Sequence, residues 1–286
     1  MALDLLERAK DLNTKCIGFI GGGNMTLAIA GGLIASGVPA NLIRISEPSA
    51  EQRERIAASL PGVDIHSDNA AVAGDVDCLV LATKPQVLSA VCHDLPNAVQ
   101  IRKPLIISIA AGVRSKDIDA WLGGDLSVIR VMPNQPALVR LGASGLYANA
   151  RTSAAERELA SSVMSAVGKV VWVESEEDID SVTAISGSGP AYFFLLIDML
   201  VKTASDMGLQ AADARELAIQ TAIGAAAMAA QSEDSMDDLI AKVRSPGGTT
   251  AAALDSLDEQ NVRAIFSAAL QAAKLRANEL ADEASQ

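Results

Sequence analysis

Cysteine, histidine and aromatic side chains are scarce in this sequence of 286 residues. It contains three cysteines and two histidines, and Phe, Trp and Tyr together make up 3% of the chain. Cys16, Cys78 and Cys92 are odd in number and have no close pairing, so we expect reduced thiols in a cytoplasmic protein. Neither His66 nor His93 belongs to a pattern with metal-ligand spacing, so we expect surface loop histidines and no metal site.

Basic residues are also in deficit. The chain has 23 Lys and Arg against 35 Asp and Glu, a formal net charge of −12 and a pI near 4.6. Nucleic acids and anionic membrane surfaces recruit clusters of Lys and Arg, so we exclude both as partners. Residues 1–15 mix charges with apolar residues at helical spacing, unlike a signal peptide, and we expect no apolar segment long enough to span a membrane elsewhere.

Short apolar runs alternate with longer helical patterns through the first part of the chain. Strands are predicted at residues 16–20, 42–45, 78–82, 105–109, 127–131, 143–147 and 169–173. The last two flank a helix predicted at 153–167, which opens with Ser153 as a cap and Glu156 three residues later. This alternation predicts an α/β domain with a doubly wound, parallel sheet of the Rossmann type.

The character of the sequence changes after the acidic stretch at residues 174–178. Helices are predicted at residues 192–207, 211–231, 236–243, 250–258 and 262–282. Residues 218–230 are small or apolar on almost every side, and a helix of this kind must be buried, so we expect subunits to interlock. We predict a dinucleotide-binding Rossmann domain at 1–177, followed by an all-α helical dimerisation domain at 178–286.

Three consecutive glycines follow the first predicted strand and precede a helix predicted at 25–34. Gly21 would permit a tight turn, and Gly23 would leave room for a pyrophosphate on the free N–H groups of the helix start. A glycine turn without a ligand is the alternative, but three glycines cost backbone entropy that a plain turn need not lose. Thr26 replaces the third glycine of the dinucleotide-binding pattern, and we expect it to loosen the packing of helix on strand.

Glu47 follows the second predicted strand and bears on the choice of cofactor. A carboxylate there would accept hydrogen bonds from the adenosine ribose and repel a 2′-phosphate, which favours tolerance of NADH. Arg44, Arg53 and Arg55 lie nearby and would either bind a 2′-phosphate or remain solvated. The choice between NADPH and NADH stays open.

Several segments together resemble the pyrroline-5-carboxylate reductase family. They are GGGNM at 21–25, ATKPQ at 82–86, VMPN at 131–134, SGSGPAY at 186–192 and SPGGTT at 245–250. The resemblance covers residues from about 15 to 280, with one departure at Gln135, where the family commonly has Thr. It implies NADPH or NADH as cofactor and reduction of the C=N bond of 1-pyrroline-5-carboxylate to L-proline, the last step of proline biosynthesis. It also implies a homodimer, often assembled as five dimers.

The SPGGTT segment supplies the predicted substrate site. Gly247, Gly248 and Thr249 stand with Thr250 at the start of a predicted helix, whose N–H groups would hold the substrate carboxylate. By the resemblance, Thr250 is the catalytic residue that hydrogen-bonds the ring nitrogen; simple helix capping is the alternative. Glu233 matches a carboxylate near the substrate pocket of relatives and is equally well explained as a solvated loop residue.

The resemblance also assigns contacts to the cofactor. Lys84 follows a predicted strand, at the edge of the sheet where ligands bind in open α/β folds. The loop at 186–190 would lie against the nicotinamide pocket, or would serve in packing between domains. The predicted cofactor-binding residues are Gly21, Gly23, Asn24, Met25, Glu47, Asn69, Lys84, Pro85, Asn134 and Ser188.

Two other functions remain as alternatives. A reductase of the β-hydroxyacid or 6-phosphogluconate dehydrogenase type would need an acid–base residue such as a lysine in the helical half. Lys202 is the only lysine early in that half, and no matching Asn motif stands beside it. A non-catalytic, nucleotide-binding regulatory protein would keep the glycine turn but would not need the SPGGTT segment.

Overall fold

The computed structural model describes residues 12–284 of the chain. Its contacts separate into two compact units, one ending at Ser188 but joined by the C-terminal residues from Ala273, and one formed by Gly189–Ala272. Most of the N-terminal stretch that we judged unlike a signal peptide, residues 1–11, lies outside the described residues. The predicted domain boundary at 177 and 178 stays a prediction.

The first unit contains one sheet of eight strands in the order β3-β2-β1-β4-β5-β6-β7-β8. Neighbouring strands are parallel except for β6 and β7, which are antiparallel. The strands are β1 Ile17–Ile20, β2 Ile43–Ser46, β3 Asp64–His66, β4 Cys78–Leu81, β5 Leu105–Ser108, β6 Val128–Met132, β7 Gly142–Ala148 and β8 Gly168–Trp172. The predicted Rossmann-type fold class is confirmed.

Helices cover both faces of this sheet. In β4, Cys78 and Val80 belong to one buried apolar cluster, whereas Leu79 and Leu81 belong to a second. Successive side chains of a strand point to opposite faces, so a continuous apolar run is what a strand buried on both faces requires. The helices are α1 Asn24–Ala35, α2 Ala50–Ser59, α3 Asn69–Ala73, α4 Pro85–His93, α5 Pro96–Arg102, α6 Ser115–Trp121 and α7 Ala154–Ser165.

The sheet differs from the sequence prediction in two places. Strand β3 was not predicted, because it is three residues long, lies at the edge of the sheet and has one apolar residue. His66, expected in a loop, is the last residue of β3, and His93 is the last residue of α4. The antiparallel β7 follows β6 after only a short 3-10 helix, Gln135–Val139, and so short a connection cannot form a parallel crossover.

Seven helical segments follow the sheet. They are α8 Asp178–Val182, a π-helix at Thr183–Gly187, α9 Gly189–Asp206, α10 Ala211–Gln231, α11 Met236–Val243, α12 Thr249–Glu259 and α13 Val262–Ala284. The predicted helices are present; the helix predicted at 192–207 is α9, which begins at Gly189 and continues without a break from the unpredicted α8 and the π-helix. The last turns of α13 belong to the first unit, where Ala277 and Ala281 are buried.

The segment from Asp178 to Asp206 forms a continuous helix of 29 residues. An 18-residue window within it has a mean hydropathy of 1.5, so by length and composition it passes a test for a membrane-spanning helix. The expectation that the chain holds no such segment therefore needs correction. A core helix passes the same test, so the finding is weak support for a membrane location.

Candidate functional site

The glycine turn after β1 has the geometry that a dinucleotide requires. Gly21 has φ of +99°, and a Cβ there would lie 2.9 Å from the carbonyl oxygen of Ala82. Gly23 is the N-cap residue of α1, and it makes no side-chain hydrogen bond to the first N–H groups of the helix. A Cβ on Gly23 would meet no protein atom within 4 Å. The start of α1 thus offers free N–H groups beside open space, and these residues fit a pyrophosphate.

Thr26 connects the first turn of α1 to the glycine turn. Its side chain is fully buried, and its hydroxyl donates a hydrogen bond to the Gly21 carbonyl at 2.6 Å. Close packing of α1 is provided one turn and a half later, by Gly32, where a Cβ would lie 2.7 Å from the carbonyl oxygen of Ala166. Gly32 thus allows α1 to approach the end of α7, while the expected loosening of helix against strand at Thr26 stays a prediction.

Glu47 lies directly after β2, beside the glycine turn. Its carboxylate accepts hydrogen bonds from the N–H groups of Gly22 at 2.9 Å and Ser49 at 3.0 Å. Each carboxylate oxygen has room for a second donor, so these bonds are compatible with contacts to ribose hydroxyls. The position at the carboxyl edge agrees with the predicted site, while the contact to the cofactor stays a prediction.

The three arginines near Glu47 have different surroundings. Arg44 donates to the Asp75 carboxylate at 3.0 Å, and this bond holds the pKa of Asp75 below its usual value. Arg53 donates to the carbonyl oxygens of Glu47 and Pro48 at 2.9 and 2.7 Å. Arg55 donates to the side chain of Asn24 at 3.1 Å. Arg53 and Arg55 therefore lie beside the proposed cofactor site, whereas Arg44 is engaged by acidic residues.

Two further predicted residues lie at the same edge of the sheet. Asn69, the first residue of α3, accepts a hydrogen bond from the buried Ser46 hydroxyl at 2.6 Å, which ties α3 to the end of β2. Lys84 is exposed and caps α4, whose first residue is Pro85. Within residues 12–284, no ion pair involves the Lys84 ammonium. Its charge is thus available at the carboxyl end of β4.

Asn134 is buried and fixes the chain after β6. Its side-chain N–H donates to the Ser186 carbonyl at 3.0 Å, and its oxygen accepts from the Ala143 N–H at 2.9 Å. These bonds give Asn134 a structural role that sequence reasoning missed, and its predicted contact with cofactor stays a prediction. Gln135 is exposed at the start of the following 3-10 helix.

A π-helix precedes Ser188. Thr183–Gly187 forms this wider turn, and Ser188 donates its N–H to the Thr183 carbonyl at 2.8 Å. A Cβ on Gly187 would lie 2.6 Å from the Cε of Met132, so glycine allows close packing on the end of β6. Single π-turns are frequent at functional sites. Helical periodicity gives no signal for such a turn.

A buried cluster of charges lies near the ends of β5 and β6 and was not predicted. Arg130 is 2% exposed and forms an ion pair with Glu176 at 3.0 Å. Glu176 also accepts hydrogen bonds from the N–H and hydroxyl of Ser115, at 2.6 and 3.0 Å. Arg114 forms an ion pair with the buried Asp180 at 3.2 Å. The one signal in the sequence is an arginine inside the apolar run at 127–131.

Burial shifts the pKa values of two groups in this cluster, Arg130 and Asp180. It lowers the pKa of Arg130, a change that the neighbouring Glu176 opposes. It raises the pKa of Asp180, which Arg114 opposes. Burial also raises the pKa of the Cys92 thiol to about 12, and it raises the pKa of the Cys78 thiol. Neither thiol is a nucleophile near neutral pH.

The second unit contains the predicted substrate site at the start of α12. Gly248 is the N-cap and makes no side-chain hydrogen bond, and Gly247 has φ of +70°. Thr250 is the second residue of the helix, so the alternative that it caps α12 is wrong. It is half-buried, and its hydroxyl has no hydrogen-bond partner among residues 12–284. Free N–H groups and a free hydroxyl thus stand together at this helix start.

Glu233 lies in the loop between α10 and α11. It is exposed, and no ion pair or hydrogen bond involves its carboxylate within the described chain. Its neighbour Asp234 pairs instead with Lys242 and accepts from Ser232, and these bonds lower the pKa of Asp234. The loop is therefore shaped by Asp234, and the role of Glu233 stays a prediction.

The sheet, the glycine turn and the carboxylate after β2 together define a dinucleotide-binding oxidoreductase of the Rossmann class. Residues 16–112 match a family model described as NADP oxidoreductase, coenzyme F420-dependent. Residues 176–280 match a model described as pyrroline-5-carboxylate reductase dimerisation. A pyrroline-5-carboxylate reductase from Pseudomonas aeruginosa is 48% identical over 275 residues, which cover 96% of this chain and 100% of the relative. The chain belongs to the pyrroline-5-carboxylate reductase family.

Other relatives and solved structures agree. A pyrroline-5-carboxylate reductase from Vibrio alginolyticus is 41% identical and covers 93% of this chain and 97% of its own length. A structure of the enzyme from Coxiella burnetii has 43% identity and a TM-score of 0.90, covering 94% of this chain and 99% of that one. The Plasmodium falciparum enzyme, solved with NADP bound, has 26% identity and a TM-score of 0.83, with the same coverage.

These comparisons confirm the predicted family, enzyme class and cofactor class. The chain is an NAD(P)H-dependent oxidoreductase, and the match to the dimerisation model confirms that it forms oligomers. The β-hydroxyacid dehydrogenase type and the non-catalytic regulator are set aside, because relatives of the reductase family align over nearly the whole chain. The individual site residues are not tested by the comparisons and are taken up as proposals.

Proposed function

We propose that this chain reduces the C=N bond of 1-pyrroline-5-carboxylate with NADPH or NADH and forms L-proline. The observation that carries the proposal is the start of α12, where uncapped N–H groups stand beside the unpaired Thr250 hydroxyl. A cyclic imine with a carboxylate needs these two features, an anion holder and a neutral partner for its ring nitrogen. The reaction also needs a cofactor, and the first unit contains a glycine turn that fits one.

The cofactor, when bound, supplies the hydride, and the protein supplies position and polarity. Gly21 and Gly23 keep the approach to α1 open, and the N–H groups of Asn24 and Met25 hold the pyrophosphate. Glu47 and Asn69 face the adenosine half at the ends of β2 and the start of α3. The proposal assigns the remaining contacts to Lys84, Pro85, Asn134 and Ser188.

The substrate contacts follow from the local geometry of α12. The N–H groups of Thr249 and Thr250 hold the carboxylate, and Gly247, where a Cβ would meet no protein atom within 4 Å, leaves the approach open. Gly248, the N-cap residue, belongs to the same proposed site, but its missing side chain makes room for Ser245. The Thr250 hydroxyl, neutral at working pH, orients the ring nitrogen by a hydrogen bond, and the proton that the nitrogen gains in the reaction comes from solvent. Glu233 lends a negative charge when the nitrogen is protonated, since its carboxylate has no partner in the described chain.

The assembly belongs to the same proposal. In the homodimer, the apolar surfaces of α9 and α10 of one subunit are covered by the other subunit. Five such dimers form the complete oligomer. The dinucleotide-binding domain ends at residue 177, and the helical domain begins at Asp178. Three free thiols support a cytoplasmic location, because disulfides are rare in reducing compartments.

The test is a cofactor oxidation assay with the purified chain. Pyrroline-5-carboxylate should cause oxidation of NADPH or NADH, and mass spectrometry should identify L-proline as the product. The unsubstituted imine 1-pyrroline, which lacks the carboxylate, is the matched control and should react at least about tenfold more slowly, because it loses the contacts to the start of α12. Absence of oxidation with both cofactors would overturn the proposal.

A further inference from the structure

The buried charge cluster connects three segments of the first unit. Ser115 follows the loop at 109–114, which leaves the end of β5, and Arg130 lies on β6 directly beside Ser108, the last residue of β5. Glu176 and Asp180 belong to the chain that enters and forms α8. The two ion pairs, Arg130 with Glu176 and Arg114 with Asp180, therefore attach α8 to the carboxyl ends of β5 and β6.

The attached helix leads directly into a second set of contacts. From α8 the chain continues without a break into the π-helix Thr183–Gly187. There the Ser186 carbonyl accepts a hydrogen bond from Asn134, which follows β6. Movement of α8 would consequently displace the π-helix, Ser188 and the turn that contains Asn134.

This edge of the sheet is the one expected to meet the nicotinamide half of the cofactor. In a doubly wound sheet, β1 to β3 bind one nucleotide and β4 to β6 bind the other. The glycine turn and Glu47 belong to the first half, where the adenosine lies. The loops after β5 and β6 belong to the second half.

Stability alone does not explain the cluster. Replacing a buried ion pair by apolar residues of similar volume is often neutral or stabilising, because desolvation offsets the attraction between the charges. The Nη1 of Arg114 is in addition buried without a hydrogen-bond partner in residues 12–284, and such an atom lowers stability. A role in fixing geometry accounts for charges that an apolar core would not need.

We propose that Arg130 and Glu176, with Ser115, are positioning residues for the nicotinamide half of the cofactor site. They hold α8 and the π-helix against the ends of β5 and β6, and they touch neither cofactor nor substrate. The inference rests on the proposed function for its cofactor. The inference predicts that loss of the cluster weakens the binding of the nicotinamide half of the cofactor, whereas the adenosine half binds with the wild-type affinity.

The test compares two ligands on a charge-neutral double variant, Arg130→Met with Glu176→Gln. Gln keeps an acceptor for Ser115, and Met preserves most of the apolar volume of Arg. The dissociation constant should rise about tenfold for the dinucleotide that the wild type prefers. It should change less than about twofold for the same molecule without its nicotinamide ring, ADP-ribose or its 2′-phosphate. In turnover, kcat should fall by about tenfold to a hundredfold, the range expected of a misplaced reacting group.

An exposed ion pair in the same unit provides the control. Arg151 and Asp125 lie 2.7 Å apart with more than half of each side chain exposed, and the variant Arg151→Gln with Asp125→Asn removes the same charges. It should match the wild type in both ligands and in kcat. If the double variant proves unstable, Ser115→Ala removes one hydrogen bond and should show the same split on a smaller scale.

Equal weakening of both ligands, or wild-type values for both, would overturn the inference. A failure of the proposed function looks different: the wild type would then fail to turn over pyrroline-5-carboxylate, whereas the two binding constants could still be compared.

Discussion

Gly23 differs from the other glycines of the turn in what its missing side chain leaves open. At Gly21 a Cβ would strike the backbone of Ala82, and at Gly22 it would strike Ile56 and Glu47. At Gly23 it would meet no protein atom within 4 Å. Contacts within the protein account for the first two glycines, whereas the protein leaves the space beside Gly23 open, and this space fits the proposed pyrophosphate.

Gly23→Val should therefore abolish binding of NADPH and NADH while the fold persists. The new side chain would occupy the space of the pyrophosphate, and it would not collide with the protein. Fluorescence titration of the cofactor and the thermal midpoint are the two measurements. Gly21→Val is the contrasting variant and should lose stability as well, because φ is +99° there. Unchanged cofactor affinity in Gly23→Val would show that the pyrophosphate lies elsewhere.

Glu47 combines a structural contact with a charge that bears on cofactor choice. We predict that Glu47→Ser shifts preference toward NADPH, because it removes a negative charge beside Arg53 and Arg55. The measured quantity is the ratio of kcat/KM for the two cofactors. Glu47→Gln is the companion variant, since it removes the charge and keeps the length of the side chain, with one oxygen that can accept from either Gly22 or Ser49. A constant ratio in both variants would mean that Glu47 does not face the 2′ position.

Thr250→Ala tests the substrate contact. Loss of a neutral hydrogen bond costs about 0.5–1.5 kcal/mol, and about 3 kcal/mol at most with a charged partner, so kcat/KM should fall between several-fold and about a hundredfold. Cofactor affinity and the thermal midpoint should barely move, because Thr250 does not cap α12. Thr250→Ser retains the hydroxyl and should recover most of the activity. Wild-type kcat/KM in Thr250→Ala would contradict the proposed substrate contact.

At the scale of single elements, the start of a helix can be predicted from capping residues in the local sequence. Ser153 and Glu156 form the predicted capping box of α7, with the Ser153 N–H donating to Glu156 at 2.8 Å. Ser153→Ala should lower the free energy of unfolding by about 1 kcal/mol without changing kcat. Urea denaturation measures the first quantity. Thr152→Ala provides the control, because Thr152 lies outside the capping box. This variant should not remove the stabilisation that the capping box gives to α7.

The elements that could be read from the sequence are those whose signal is local. Strands such as β4 are apolar throughout because both of their faces are buried. The glycine turn can be predicted from its three consecutive glycines. Elements defined by distant partners could not be read. The stretch at 174–178 looks like an acidic linker, yet Glu176 is held by Arg130, which lies 46 residues earlier. Likewise, the side-chain amide of Asn134 donates a hydrogen bond to the carbonyl of Ser186, 52 residues later.

The whole molecule is incomplete as a single chain. In the isolated chain Phe193, Phe194 and Leu195 on α9 are 64%, 62% and 59% exposed. In α10 only Ala214 and Ala218 are buried, although most of its residues are small or apolar. Consecutive residues of a helix point in different directions, so exposure of all three means that α9 is apolar on several sides. Surfaces of this kind are stable when other subunits cover them.

We therefore predict that light scattering at micromolar concentration gives at least twice the chain mass of 29.5 kDa. Leu195→Asp should reduce the mass or leave the protein unfolded, because it places a charge on the surface that pairs. Ile101→Asp is the matched control: Ile101 is 82% exposed on the first unit, and the variant should keep the mass of the wild type. A wild-type mass of 29.5 kDa would contradict the assembly. A mass near ten chains would support the assembly of five dimers, and a mass near two chains would support a single dimer.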